Sequence, residues 1–201
     1  TGLKSTVKSI EQHQDTTYVS TETGLYVLRD RQYSLPGQPV SRFEQWEDGD
    51  LPVVWDMISV GEELLLAVDD RGVLKISSGK EERIAEDWVF TYGLLKSEDS
   101  NVIYAATRSG LKGLVRSEDE WMSFAIGQIG AEIRSLVAGK NGNIWASTGS
   151  GDVLRIALSF DGRRAETITQ YDERDGLPDG YKALTSIGER VAIVSEEGFY
   201  Q

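Results

Sequence analysis

The chain has no cysteine, one histidine, four prolines and no long apolar run among its 201 residues. Each scarcity closes off a class of function. Without cysteine there are no disulfide staples, no thiolate metal sites and no cysteine nucleophile. The lone histidine, His13, is too few for a His-dependent metal site and leaves a serine triad without a convincing base. No apolar stretch approaches the roughly 18 residues needed to cross a bilayer as a helix. Basic residues are outnumbered, 21 Lys and Arg against 33 Asp and Glu, for a net charge of −12. So acidic a surface repels phosphate backbones and anionic headgroups, so no nucleic acid and no lipid surface is expected as a partner. Amphipathic helices are lacking too: no segment sustains the i, i+3, i+4, i+7 spacing over three turns. The sequence opens at Thr1 rather than Met. It therefore reads as a processed or excised segment, with any membrane attachment carried by parts absent here.

What is abundant is glycine, 21 residues, set among short alternating apolar runs. Five segments share one pattern: an apolar run closed by Thr, Asp or Ser, two residues, a Gly, then a second apolar run. They are Tyr18–Thr21 with Gly24, Leu66–Asp69 with Gly72, Tyr104–Thr107 with Gly110, Trp145–Thr148 with Gly151, and Ala192–Ser195 with Gly198. The polar residue precedes its Gly by three positions in all five, and successive copies lie 48, 38, 41 and 47 residues apart. A period near 43 is that of a four-stranded propeller blade.

Each repeat reads as four strands. The first is short (Val7–Ile10, Trp55–Ile58, Tyr92–Leu95, Ile133–Leu136, Tyr181–Leu184) and ends in a tight turn, clearest at Asn141-Gly142. His13 falls in the first of these turns, where it should be solvated. The second strand alternates with period two, as in Trp145-Ala-Ser-Thr148, and the aromatics Tyr18, Tyr104 and Trp145 recur there as blade packing. The expected fold is all-β: a β-propeller segment of four-stranded blades, with about four complete blades and part of a fifth. Residues 1–201 make a single propeller, with repeats at approximately 2–48, 49–88, 89–129, 130–174 and 175–201. The short last repeat marks the chain as a piece of a larger propeller, because open edges are poorly tolerated.

The run Asn141-Gly-Asn-Ile-Trp-Ala-Ser-Thr-Gly-Ser-Gly-Asp-Val-Leu-Arg155 resembles the two-component regulator propeller repeat. Tyr171-Asp-Glu-Arg-Asp-Gly-Leu-Pro178 resembles that family's inter-blade linker, and Asp48-Gly-Asp-Leu-Pro52 is a looser copy. The chain departs from the pattern at Leu66 and Ala192, where the aromatic is missing, and at Asp69 and Ser195, where the Thr is. The resemblance implies a periplasmic sensor region of a bacterial membrane signalling protein, with kinase or cyclase output elsewhere. It also implies an oligosaccharide or other small ligand. The alternatives are a protein-interaction scaffold, including self-association, and a glycan-active propeller enzyme.

A propeller glycosidase needs two carboxylates facing each other across the channel, roughly 5–10 Å apart. The inner-strand positions hold Lys8, Asp56, Tyr92, Arg134 and Lys182, with one acid among them, so the segment is not expected to be an enzyme. No catalytic residue, metal site or cofactor is assigned; Asp48-Gly-Asp50 offers too few oxygens for calcium. The ligand-binding candidates are Trp55, Asp56, Tyr92, Arg134, Tyr181 and Lys182. They sit near one mouth of the channel, where aromatic faces beside cations suit an anionic or sugar-like molecule.

Overall fold

The computed structural model describes residues 3, 5–32, 39–46, 51–85, 87–97, 101–118 and 120–200. Gly2 and Lys4, and the Asp48–Asp50 part of the looser linker copy, lie outside the described residues.

Among the described residues, nineteen strands form five antiparallel sheets in chain order. Blade one is β1 (Val7–His13), β2 (Thr16–Thr21), β3 (Gly24–Gln32) and β4 (Pro39–Gln45). Blade two is β5 (Val54–Val60), β6 (Glu63–Val68), β7 (Gly72–Ser77) and β8 (Lys80–Ala85). Blade three is β9 (Thr91–Lys96), β10 (Val102–Thr107), β11 (Gly110–Ser117) and β12 (Glu120–Ala125). Blade four is β13 (Ile133–Ala138), β14 (Ile144–Thr148), β15 (Val153–Leu158) and β16 (Ala165–Tyr171). Blade five is β17 (Ala183–Ile187), β18 (Arg190–Ser195) and β19 (Gly198–Tyr200). The first strands β1, β5, β9, β13 and β17 pack side by side in that order and form the inner layer. Among the described residues, helix is confined to two one-turn 3-10 segments, Lys140–Gly142 and Glu173–Asp175.

The number of blades is therefore five, which corrects the expectation of about four blades and part of a fifth. Residues 183–200 form a sheet of their own, ordered β17-β18-β19, and its inner strand packs on β13 as the other inner strands pack on their predecessors. The main-chain N–H of Leu184 donates to Ser135 Oγ at 3.3 Å across this seam. Counting repeats by their length understated a blade whose identity is set by where its inner strand docks.

Second strands read as near-continuous apolar runs because both faces are covered by neighbouring blades. All six residues of β6 (Glu-Leu-Leu-Leu-Ala-Val) and of β10 (Val-Ile-Tyr-Ala-Ala-Thr) are buried. Outer strands such as β8 and β16 are polar and largely exposed. The buried apolar side chains form one cluster at each of the first three seams. Met57, Leu64 and Leu66 pack against Tyr18, Leu25 and Val27 between blades one and two. Leu65, Ala67 and Val73 meet Leu94 and Ala105 between two and three. Tyr104, Ala106 and Leu111 meet Ile133, Ile144 and Ala146 between three and four. Each fully buried leucine contributes about 1.5–3 kcal/mol, so these seams, more than the strand ladders, hold the blades together.

The repeated Thr closes the hairpin between second and third strands. Thr21 Oγ1 donates to Gly24 O at 2.9 Å, and Thr107 Oγ1 to Gly110 O at 2.7 Å. Gly110 has φ +117, and a Cβ there would collide with the Ile129 carbonyl. The three-residue spacing is not structurally uniform, however. In blade two the ladder closes at Val68 and Gly72, four apart, which leaves Asp69 in the turn instead of at the Thr position.

His13 also departs from expectation. It is 6% exposed, and its Nδ1 lies 2.7 Å from Ser59 Oγ of blade two. Ser59 in turn donates its main-chain N–H to Glu11 at 2.9 Å. A turn residue in sequence thus becomes a seam residue, because the end of the inner strand β1 is covered by the next blade.

Candidate functional site

The first four inner strands carry the same irregularity. In β1 the ladder to the second strand skips from Val7 to Ser9, in β5 from Val54 to Asp56, in β9 from Thr91 to Gly93, and in β13 from Ile133 to Ser135. The residues left unpaired are Lys8, Trp55, Tyr92 and Arg134. A bulge releases one residue from the alternation and re-aims its side chain. Four consecutive blades therefore turn one side chain each out of the ladder at the same level, close to one end of the inner strands.

These side chains meet in series across the blades. Lys8 Nζ lies 4.8 Å from the Trp55 ring centroid. The Trp55 and Tyr92 rings are edge to face with centroids 5.6 Å apart. The Arg134 guanidinium sits 4.2 Å over Tyr92. Two aromatic rings are thus flanked by a cation on either side, a geometry in which each charge meets a ring's negative face.

Carboxylates complete the layer. In the first four blades the turn following the second strand is tied to the residue preceding the first: Glu22 N–H donates to Thr6 O, Asp69 to Val53 O, Arg108 to Phe90 O and Gly149 to Glu132 O. This recurrent bond carries Glu22, Asp69 and Arg108 to the mouth. Glu22 pairs with Lys8 at 2.8 Å, and the Trp55 indole N–H donates to Asp69 at 3.1 Å. Glu132 accepts from the Tyr92 hydroxyl at 2.6 Å and pairs with Arg134 at 3.1 Å. Gly149 leaves the space Glu132 occupies, since a Cβ there would stand 2.6 Å from its Oε2. Burial, then the bond to Glu132, pushes the Tyr92 phenol up to about 12, against the opposing fields of Arg134 and Arg108. Arg108 lies 5.0 Å over Phe90, whose φ of +56 is unusual for a bulky residue.

Among the six candidates from sequence, the structure brings Trp55, Tyr92 and Arg134 together and sets the other three apart. Asp56 returns to the ladder after the bulge, so Trp55, not Asp56, holds the inner-strand position in blade two. The Asp56 carboxylate accepts from its neighbour Met57 N–H at 2.8 Å and from Leu94 N–H of blade three at 2.9 Å. Burial raises its pKa above the ordinary aspartate value, against these bonds. Lys182 is 2% exposed and donates to Gly180 O at 3.0 Å, beside Gly151 in the seam between blades four and five. Tyr181, next to it, is exposed. Lys8 belongs to the layer; Glu22, Glu132, Asp69, Arg108 and Phe90 were not foreseen as part of it. The signal for Glu132 was its position two residues before Arg134, with a Gly at the facing turn.

Two cavities of about 620 Å³ each lie away from this layer. One is lined by Leu95, Tyr104, Leu136 and Ser186 beside the Lys140–Gly142 turn, at the other end of the inner strands. The other opens between Trp145 and Arg155 of blade four and Val191 and Ile193 of blade five. Trp145 is only half-buried there, stacked on Tyr171 at 5.5 Å, whereas Tyr18 and Tyr104 are buried as packing residues. Among the described residues no cluster of three or more His, Cys, Asp or Glu is placed to hold a metal, and no helix is long and apolar enough to cross a membrane. The bulge layer gathers two aromatic rings, an amine, a guanidinium and two paired carboxylates at one end of the inner strands.

No family model matches the chain, and no curated protein matches it. Solved structures do. The extracellular domain of a hybrid two component system from B. thetaiotaomicron matches 96% of this chain with a TM-score of 0.69 at 17% identity. The WD40 β-propeller domain of Doa1 matches 99% with a TM-score of 0.67 at 13% identity. Virginiamycin B lyase from Staphylococcus aureus matches 94% with a TM-score of 0.61 at 12% identity. The chain spans 27%, 64% and 62% of these three proteins respectively. At such identities the likeness shows the fold alone, and the fold it shows is the β-propeller.

Proposed function

We propose that this chain is a non-catalytic recognition propeller, the periplasmic sensor region of a bacterial membrane signalling protein, and that it binds its ligand at the bulge layer. The observation that carries the site is the recurrence of a bulge at Lys8, Trp55, Tyr92 and Arg134. Four equivalent departures from the ladder, all presenting large polar or aromatic side chains to one another, exceed what strand pairing requires. The ligand class is an oligosaccharide or similar ring compound with an anionic group, stacked on Trp55 and Tyr92 and held by Arg134 and Lys8. The likeness to an extracellular domain of a two-component system supports the sensing role. Against catalysis stands the engagement of the layer's carboxylates, Glu22 with Lys8 and Glu132 with Arg134 and Tyr92. His13 and Ser59 are bonded, but deep in a seam, away from the layer.

The native reading frame on either side of these residues tests the signalling half of the proposal. A membrane span followed by a kinase or cyclase module is the expected result; a frame without any such module overturns it. One observation favours an interaction scaffold as a second reading. Phe160 is fully exposed on a loop held by Ser159 and Asp161, an apolar anchor with no packing role.

A further inference from the structure

Three cations stand at the level of the bulges, and their surroundings differ. Lys8 pairs with Glu22 at 2.8 Å, and Arg134 pairs with Glu132 at 3.1 Å. Arg108 is exposed, and among the described residues its guanidinium meets no carboxylate; the contact it makes is with the Phe90 ring. The difference comes from which position supplies the acid in each blade. Glu22, Asp69, Arg108 and Gly149 are equivalent, each donating its main-chain N–H to the residue before the first strand, which is Thr6, Val53, Phe90 or Glu132. In blades one and two the turn supplies a carboxylate, which engages the bulge residue of its own blade. In blade four the residue before the strand supplies it, as Glu132, and Gly149 leaves room for it. Blade three has a carboxylate at neither position. Its Tyr92 donates to Glu132 of the next blade, and its turn carries Arg108 instead.

Phe90 fixes where that charge stands. Of the four residues before the first strands, it alone has a positive φ. Gln14, Ser78, Glu118 and Asn141, the other non-glycine residues with positive φ among those described, sit in turns between consecutive strands of one blade. Glycine would adopt this conformation without strain, so the backbone gives no reason for a phenylalanine. The ring gives one: it is the platform beneath Arg108, 5.0 Å from the guanidinium carbon. The Phe90 N–H donates to Asp69 O, and the Phe90 carbonyl accepts from Arg108 N–H at 3.0 Å, so the platform is tied to the turns of blades two and three at once. The field of Arg108 falls on the Tyr92 phenol together with that of Arg134, which sets the guanidinium near that ring.

We infer that Arg108 is the residue that selects an anionic ligand at the bulge layer, its guanidinium taking the carboxylate of a uronic-acid sugar whose ring lies against Tyr92. This rests on the reading of the layer as a ligand site. A guanidinium fork matches a carboxylate through two parallel N–H···O bonds. Lys8 and Arg134 have their charge met by Glu22 and Glu132, whereas Arg108 accepts an anion without breaking an internal pair. One uncompensated cation on a chain of net charge −12 suits a single carboxylate and disfavours a polyanion. Lys8 and Arg134 then flank the rings, and Arg108 reads the charge.

The test is calorimetric titration of the chain with trimers of galacturonic, glucuronic and mannuronic acid, each as the free acid and as the methyl ester. The ester keeps the sugar ring and removes the charge. The parent should bind a free acid about tenfold or more tightly than its ester, the worth of a hydrogen bond to a charged group. Arg108→Gln should bind acid and ester alike, at the parent's affinity for the ester. Arg108 is exposed, so this variant should melt as the parent does. In nitrogen-15-labelled protein the Arg108 Nε–H resonance, identified by its loss in Arg108→Gln, should shift with the acid and stay in place with the ester. If Arg108→Gln keeps the parent's preference for the acid, or the parent binds acid and ester equally, the inference is overturned and the layer stands as a binding site. If the parent binds none of the six trimers, the inference falls together with the reading of the layer.

Discussion

Arg134 and Tyr92 come from adjacent blades, and the guanidinium of one lies 4.2 Å above the ring of the other while both contact the same carboxylate, Glu132. This triangle couples the inner strands of blades three and four at the level of the bulges. It also gives the layer a titratable signature.

The Tyr92 phenol, held up to about 12, should ionise after ordinary tyrosines near pH 10. A folded-state value above the unfolded one means a contribution to stability that is complete below pH 10 and is lost as pH rises from there towards 12. Urea unfolding at pH 9 and pH 11 should therefore show the parent losing stability relative to Tyr92→Phe across that interval. Equal losses in the two proteins would contradict the burial of the Tyr92 hydroxyl and its bond to Glu132.

Glu63 is 5% exposed and gathers groups from two blades. Its carboxylate lies 3.6 Å from Lys75 of its own blade, 3.3 Å from Arg116 of blade three, and 3.1 Å from the donating Trp121 indole. Glu63→Ala should cost about 1–2 kcal/mol in chemical denaturation, because it removes a nearly buried acceptor that joins blades two and three. Glu63→Gln, which keeps an acceptor oxygen, should cost less.

Asp56 offers a comparable test at the seam of blades two and three. Asp56→Ala abandons two main-chain N–H groups, those of Met57 and Leu94, and should destabilise by about 2 kcal/mol. Its raised pKa comes mainly from burial, so protonation is more favourable in the folded protein than in the unfolded chain. That contribution is present at low pH and is lost as pH rises through the folded value. Asp56→Asn should therefore be tolerated better than Asp56→Ala at pH 7.

At Gly72, φ is +72, and a Cβ would run into the carbonyl oxygens of both Ala85 and Trp88. Neither is the end of a flexible side chain. Gly72→Ala should lower the melting midpoint by several degrees, corresponding to about 1–3 kcal/mol of strain, whereas Gly188→Ala, with open space around its Cβ, should cost no more than about 1 kcal/mol.

The blades themselves were legible from the period and from the Thr-to-Gly turn, because those residues act locally. Thr21 and Thr107 bond within three residues, so the hairpins they close are set by local sequence. The site was legible only in part. Trp55, Tyr92 and Arg134 stood out as large residues at the head of inner strands. The bulge that separates Trp55 from Asp56 is a register shift, and strict alternation read from sequence places the two on opposite faces without saying which faces the channel. Lys182 misled for a related reason: blade five shows the equivalent position buried, with its amine turned back on Gly180. His13 and Glu63 were illegible because their partners, Ser59, Arg116 and Trp121, lie 46 to 58 residues away across seams that only the assembled propeller creates.

The central claim is that the bulge layer recognises a ligand. It is tested most directly by following the Trp55 indole N–H resonance in nitrogen-15-labelled protein during titration with a panel of neutral and uronic-acid oligosaccharides. The resonance is identified by its loss in Trp55→Phe. The account predicts a saturable shift of that resonance with a uronic-acid member, and binding weakened roughly tenfold or more in Arg134→Ala. A panel that leaves Trp55 unmoved, or binding that Arg134→Ala leaves unchanged, contradicts it.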